Sequence, residues 1–402
     1  MSFLSSLAAK ILIPAILFVG IGIGFFIGNI DSDQPLEANL ASTVGGAATT
    51  TAVEKIDPVE IETVIAPKAL EESAPAKKQT IPPPSKPLPP PPPASVPTPD
   101  APFAFDQKWR DAVVNLYCQW PMGGGISSGS GVVIDPRGII LTSAHVAIDF
   151  LYYDTPKTSP SPVDCWVRTG SPSQNIYRAK LMYIPADYIA EDLKGVGRFI
   201  PEENIVYGKD DYGLLVITKT VDPKGTLPAS FPYIPLDARS ISIPGSHMYM
   251  IGYAASYLGS IAIMKGLPLM SSPVILDSVE PIKNGSTLDT LIFNGSVAGQ
   301  HGSSGGAVVR TGGKLIAIPT YFKEEGPTTG ESILGAITID YVNRDMKIDT
   351  GVTLEEFIAS DTPQALLQAF LTGKAPQYHK QYVDAYAKLN TKGTIFIVPG
   401  GY

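Results

Sequence analysis

From about Ala104 onward the chain is a succession of short apolar runs separated by Gly, Pro, Asn and Asp. Val113-Val114-Asn115-Leu116-Tyr117, Gly131 to Ile134 and Ile139 to Thr142 lead, with Asp135-Pro136-Arg137-Gly138 as the turn between the second and third. Cys165 to Arg168, Tyr177 to Tyr183, Leu214 to Ile217 and Met248 to Gly252 follow. Leu291 to Phe293, Ala307 to Val309, Leu315 to Ile318 and Ile333 to Ile339 complete the series. Many short β-type runs with turn residues between them predict an all-β sandwich or barrel.

The flanks follow other patterns. Ile11 to Ile30 is apolar apart from Pro14, glycines and Asn29. As a helix it is long enough for a hydrocarbon core of about 30 Å. Lys10 precedes it while Asp31 and Asp33 follow, so the positive-inside bias places the bulk of the chain outside the cytoplasm. A cleaved signal peptide is the competing reading, but no small-x-small site stands just after the run. From Asp31 to about Phe103, Ala, Thr, Glu and Pro dominate, ending in Pro82-Pro83-Pro84 and Pro89 to Pro93. Such a stretch cannot bury enough apolar surface to offset its ordering entropy, and its proline run reads as a polyproline II spacer.

Pro185 to Gly208 is charged, weakly helical in pattern, and reads as an insertion between strands. Near the C-terminus Asp361-Thr362-Pro363 looks like a helix start, Leu366, Leu367, Phe370 and Leu371 make one apolar stripe, and Gly373 is a stop. A second helix is predicted over about Tyr378 to Leu389, before a short apolar run at Thr394 to Val398. The expected organisation is an N-terminus (1–10), an anchor (11–30), a disordered linker (31–103), a β domain (104–340) and a mainly helical extension (341–402).

Composition narrows the classes. A net charge of −8 gives no basic field for non-specific nucleic-acid binding. The two cysteines, Cys118 and Cys165, are too few for a zinc ribbon or a CxxC redox motif, and nothing indicates a metal or cofactor.

Three stretches carry candidate chemistry. Gly299-Gln300-His301-Gly302-Ser303-Ser304-Gly305-Gly306 is a glycine-dense loop with a reachable serine at its centre. Leu141-Thr142-Ser143-Ala144-His145-Val146 places a histidine just after a strand, and Asp210-Asp211-Tyr212-Gly213-Leu214 places carboxylates at the mouth of another. Each alone is ordinary: a turn, a structural histidine, a solvated strand-end acid. Together they supply what an activated serine needs, a base to take its proton and a carboxylate to hold that base in one tautomer.

These motifs resemble the three signatures of trypsin-like serine proteases over roughly residues 104 to 340. Ser130-Gly131-Val132-Val133-Ile134 with Leu141 to Val146 is nearest the bacterial HtrA/Deg form. The resemblance implies a chymotrypsin-like pair of six-stranded antiparallel β-barrels with the site in the cleft between them. It also implies His145 as general base, Asp211 as orienting carboxylate and Ser304 as nucleophile. Asp210 is the rival for the acid role, but Asp211 fits the family's Asp-x-small-apolar-apolar pattern. The N–H groups of Gly302 and Ser304 would form the oxyanion hole.

The sequence also departs from the family. Ser303 stands where an aspartate or asparagine is usual, so the salt-bridge activation switch of digestive proteases is not expected. Ala307 replaces a proline. The interval from His145 to Asp211 is long, as the insertion requires, and too little chain follows Thr338 for the expected PDZ domain. Ala298 and Gly299 fall at the base of the primary pocket, with no acid there, so a small or medium apolar residue before the scissile bond is expected. His301 falls at the rim, and Ile318, Pro319 and Thr320 in the strand that substrate would join. The same fold makes the strands of Cys118 and Cys165 neighbours and raises a disulfide, two buried thiols being the alternative. The expected protein is a membrane-anchored extracytoplasmic serine endopeptidase acting on polypeptides; a silent peptide-binding or sensor domain is the alternative.

Overall fold

A computed structural model describes residues 98–120, 125–153, 163–195, 208–239, 242–256, 258–282, 287–325, 331–360 and 363–390. The anchor and most of the linker read from the sequence, and the run Thr394 to Val398, lie outside these residues. Among the described residues no helix is long and apolar enough to cross a membrane.

Twelve strands close into two barrels. The first contains β1 (Val113–Gln119), β2 (Ile126–Asp135), β3 (Ile139–Thr142), β4 (Asp164–Thr169), β5 (Gln174–Tyr183) and β6 (Gly213–Thr220). Their order around the barrel is β1-β2-β3-β6-β5-β4. The second contains β7 (His247–Gly252), β8 (Met270–Pro281), β9 (Leu288–Asn294), β10 (Ala307–Arg310), β11 (Lys314–Glu325) and β12 (Glu331–Thr338). Its order is β10-β11-β12-β9-β8-β7, and every pairing in both barrels is antiparallel. Closure leaves no full-length open edge, which suits strands this apolar.

The central runs are continuously apolar because both faces are buried. In β3 and β6, Ile139, Leu141, Leu214 and Val216 join a cluster shared with Leu315, Ile318 and Ile337 of the second barrel. The alternate residues Ile140, Leu215 and Ile217 join another cluster with Ala147 and Phe150 of the helix Ala144–Tyr153. Period-two alternation therefore feeds two cores rather than one core and solvent.

The sequence pattern does not predict β8. Pro273, Pro281 and several serines interrupt it, and only Val274 and Leu276 are buried, with Ile275 between them exposed. The run expected to end at Ile339 stops at Thr338, whose side chain caps the helix Ile339–Thr350 by accepting from the Tyr341 N–H. The ordered domain also reaches into the span read as linker: Asp100 pairs with Arg310 at 3.0 Å, and Phe103 packs edge-on to Tyr249.

The insertion after β5 opens with the helix Ala186–Gly195. The C-terminal helices are Pro363–Thr372 and Lys374–Asn390, the second starting four residues before the predicted Tyr378. They are not a detached appendage. The first packs on β5, and Phe370, Tyr378 and Tyr382 enter the apolar cluster of the first barrel.

Candidate active site

His145 sits in the first turn of the helix that follows β3. The first N–H groups of a helix have no intrahelical acceptor and attract negative charge. Asp211, just before β6, fills that role: its Oδ1 accepts the His145 main-chain N–H at 3.0 Å. The same carboxylate meets His145 Nδ1 at 2.9 Å through Oδ2 and 3.1 Å through Oδ1. One acid thus fixes both the start of the helix and the plane of its imidazole. A carboxylate on Nδ1 demands the proton there and leaves Nε2 as the basic nitrogen.

Asp210 is turned elsewhere. It lies in the left-handed region at φ 55°, which Asp tolerates, and its carboxylate accepts from the Tyr341 hydroxyl at 3.0 Å. Asp211 is 8% exposed, so the pair with His145 is screened from solvent on its acid side. Burial pulls the His145 pKa down, but the charge and hydrogen bond of Asp211, helped by Asp149 and Asp192, outweigh it and leave the imidazole above its ordinary value.

The Ser304 loop is stitched across the cleft to the histidine strand. Ser130 on β2 donates its N–H to the Ser304 carbonyl at 2.9 Å and its hydroxyl to the Gly302 carbonyl at 2.8 Å. Gly305 donates to the Pro319 carbonyl at 2.7 Å, and Ser143 Oγ donates to the same oxygen at 3.1 Å. Gly305 has φ 78° and lies so close to Thr142 Oγ1 and the Ser130 carbonyl that a Cβ would collide with both. These contacts bring the residues around Ser304 against Thr142 and Ser143, the pair just ahead of the histidine. Among the described residues no hydrogen bond joins the Ser304 hydroxyl to the His145 ring.

The loop spends its N–H groups selectively. Gln300 donates to Ser303 Oγ, His301 to Ser256 Oγ, Ser303 to the Gln300 carbonyl, Gly305 to Pro319 and Gly306 to Ser303. Among the described residues only Gly302 and Ser304 in this stretch have no protein acceptor. Ser303, where the family carries an acid or amide, closes the turn from within: its hydroxyl donates back to the Gln300 carbonyl at 2.6 Å.

The substrate-side residues are distributed as follows. Ala298 and Gly299 are buried, and a Cβ on Gly299 would collide with Leu334 of β12 and come within 2.7 Å of Met250 Sδ. Leu334 and Met250 thus fill the space beneath the loop, a role no local pattern announces. His301 is exposed, with its carbonyl accepting from Ala255 at 2.7 Å. Ile318 and Pro319 are buried and paired to β12, while β10 pairs with β11 only as far as Ala317. From Pro319 onward the opposite edge of β11 has no strand partner among the described residues. Thr320 is buried there with its hydroxyl unpartnered.

Cys118 and Cys165 stand opposite one another on β1 and β4 and form a disulfide, with their Cα atoms 4.1 Å apart. The bridge underlies the histidine helix: Cys165 Sγ lies 3.7 Å from the Asp149 carbonyl.

Residues 129–318 match the family of the trypsin-like peptidase domain, a span containing His145, Asp211 and Ser304. This match and the two closed six-stranded barrels fit a serine protease of the chymotrypsin fold. A search of curated proteins finds no match.

Proposed function

We propose that the chain is a membrane-anchored serine endopeptidase acting outside the cytoplasm on envelope or extracellular polypeptides, nearest the HtrA/Deg type. The observation that carries this reading is the His145–Asp211 pair, two-point at the ring and continued to the main chain, beside a serine loop with two uncommitted N–H groups. The anchor rests on the apolar run Ile11 to Ile30 and its flanking charges, and the Pro-rich stretch serves as its stalk.

In this mechanism the Ser304 hydroxyl attacks the scissile carbonyl while His145 Nε2 takes its proton. Asp211 holds Nδ1–H and stabilises the imidazolium without itself becoming protonated. The oxyanion of the tetrahedral intermediate takes the N–H groups of Gly302 and Ser304, each such donor being worth roughly 10²–10³ in rate. The imidazolium then protonates the leaving amine, leaving an acyl group on Ser304. A water, deprotonated by His145, releases it by the reverse sequence. Substrate adds as a strand along Ile318-Pro319-Thr320, with its side chain toward Ala298, Gly299 and His301. A small residue is accepted there because Leu334 occupies the depth.

A catalytically silent peptide-binding domain is the second reading, favoured by the missing hydrogen bond between Ser304 and His145. Such bonds are often long before substrate binds. Cleavage of an unfolded protein substrate by the full chain, abolished in Ser304→Ala, tests the first reading. Intact substrate in the presence of the folded wild-type chain would favour the second.

A further inference from the structure

The C-terminal helix Lys374–Asn390 lies between the two segments that carry the histidine and lead to its carboxylate. Tyr382, 1% exposed, packs its ring 5.6 Å from that of Tyr152, two turns beyond His145 on the same helix. Its hydroxyl donates to Asp192 Oδ2 at 2.5 Å. Asp192 belongs to the insertion helix Ala186–Gly195, in the segment between β5 and Asp211. Phe370 and Tyr378 anchor the same helical pair in the apolar cluster that holds Ala144, Val146, Ala147 and Phe150. A buried phenol with one charged acceptor is a directional link, not only packing.

We propose that Tyr382 is a positioning residue for the catalytic pair: by fixing Asp192 it holds a second carboxylate beside His145. The inference rests on the protease reading. Without the phenol, Asp192 loses its donor and is free to turn toward solvent, and negative charge is withdrawn from the imidazole.

The groups that face Asp192 are few. From the histidine helix they are His145 and Asp149; from the C-terminal helix, Tyr382; from the loop before β6, Asp211; Tyr152 and Tyr188 face the Tyr382 hydroxyl instead. Burial raises the Asp192 pKa, and the Tyr382 hydrogen bond and the His145 charge oppose that, while Asp211 adds to it. The sign follows. Tyr382→Phe removes a bond to the ionised form, Asp192 holds its proton to higher pH, and His145 is deprived of a stabilising charge. Asp192→Asn removes that charge outright. Both variants therefore lower the pKa of His145.

The experiment is an NMR titration of His145 in the full chain, labelled at its 4 histidines and assigned with His145→Gln. The expected result is a downward shift of about half a pH unit in Tyr382→Phe and Asp192→Asn, on the scale of a charge that acts on the imidazole without touching it. Tyr378→Phe, on the same helix and in the same cluster, is expected to leave the titration unchanged. If Tyr382→Phe fails to fold, Asp192→Asn carries the comparison. An unchanged His145 titration in the folded variants reduces Tyr382 to a packing residue and overturns the proposal. A wild-type Ser304 that takes no fluorophosphonate rejects the protease reading instead, and the titration still decides the role of Tyr382.

Discussion

The N–H of Ser130 donates to the carbonyl of Ser304 at 2.9 Å, joining a strand of the first barrel to the glycine-rich loop of the second. The Ser130 hydroxyl reinforces the link, donating to Gly302 at 2.8 Å and accepting from the Tyr253 N–H at 2.8 Å. Geometry at the loop is thus set from the opposite barrel. Ser130→Ala leaves a buried N–H and a buried carbonyl without this partner, at a cost of about 1–3 kcal/mol each way of counting. The expected outcome is a lowered midpoint in urea together with slower covalent labelling of Ser304. Wild-type labelling at full stability contradicts the assigned role.

Asp149, one turn after His145 and 4% exposed, has its carboxyl pushed up to about 7 by burial, opposed by a hydrogen bond from Ser127 and the charge on His145. The native state therefore holds this proton when the unfolded chain has released it. Stability from this group falls as pH rises from the ordinary aspartate value of 3.8 to about 7, then levels off. Asp149→Asn is expected to be neutral near pH 3 and stabilising by about 2–4 kcal/mol at pH 8. Urea melts at the two pH values read the difference directly.

The bridge between Cys118 and Cys165 closes a sequence separation of 47 residues. A cross-link of that span lowers the entropy of the unfolded chain by about 4 kcal/mol at 25 °C. Cys118→Ser with Cys165→Ser is expected to lower stability by that order. Labelling of Ser304 should slow in the same variant, since Asp149 and the histidine helix rest on the bridge.

Leu334, 2% exposed, closes the space under Gly299. Leu334→Ala is expected to cost about 2–5 kcal/mol, as a large-to-small change in a packed core. It should also shift cleavage from small residues before the scissile bond toward Leu or Phe. A peptide series varied only at that residue measures the shift, and an unchanged preference would place the pocket elsewhere.

What the sequence makes legible is what is local. The strands of the first barrel announce themselves because Ile139 to Thr142 and Leu214 to Ile217 are buried on both faces, and so run continuously apolar. β8 escapes because its two buried residues, Val274 and Leu276, are set among prolines, serines and exposed positions. His145, Asp211 and the glycine loop each sit in a short motif at a strand end and can be picked out one by one. Leu334, Asp192 and Tyr382 cannot, and Ser130 shows only its motif and not its bonds: their roles come from contacts across the barrels or between helices distant in sequence. The helix that carries His145 is likewise silent, since Ala144 to Tyr153 is apolar on nearly every side and gives no clear amphipathic stripe.

The central claim is that Ser304 is a nucleophile activated by His145. Mass spectrometry of the full chain after fluorophosphonate treatment tests it most directly. The account predicts one adduct on Ser304 in the wild type, none in Ser304→Ala, and a rate reduced by orders of magnitude in His145→Ala. A well-folded wild-type protein that carries no adduct, or one whose labelling is indifferent to His145, contradicts it.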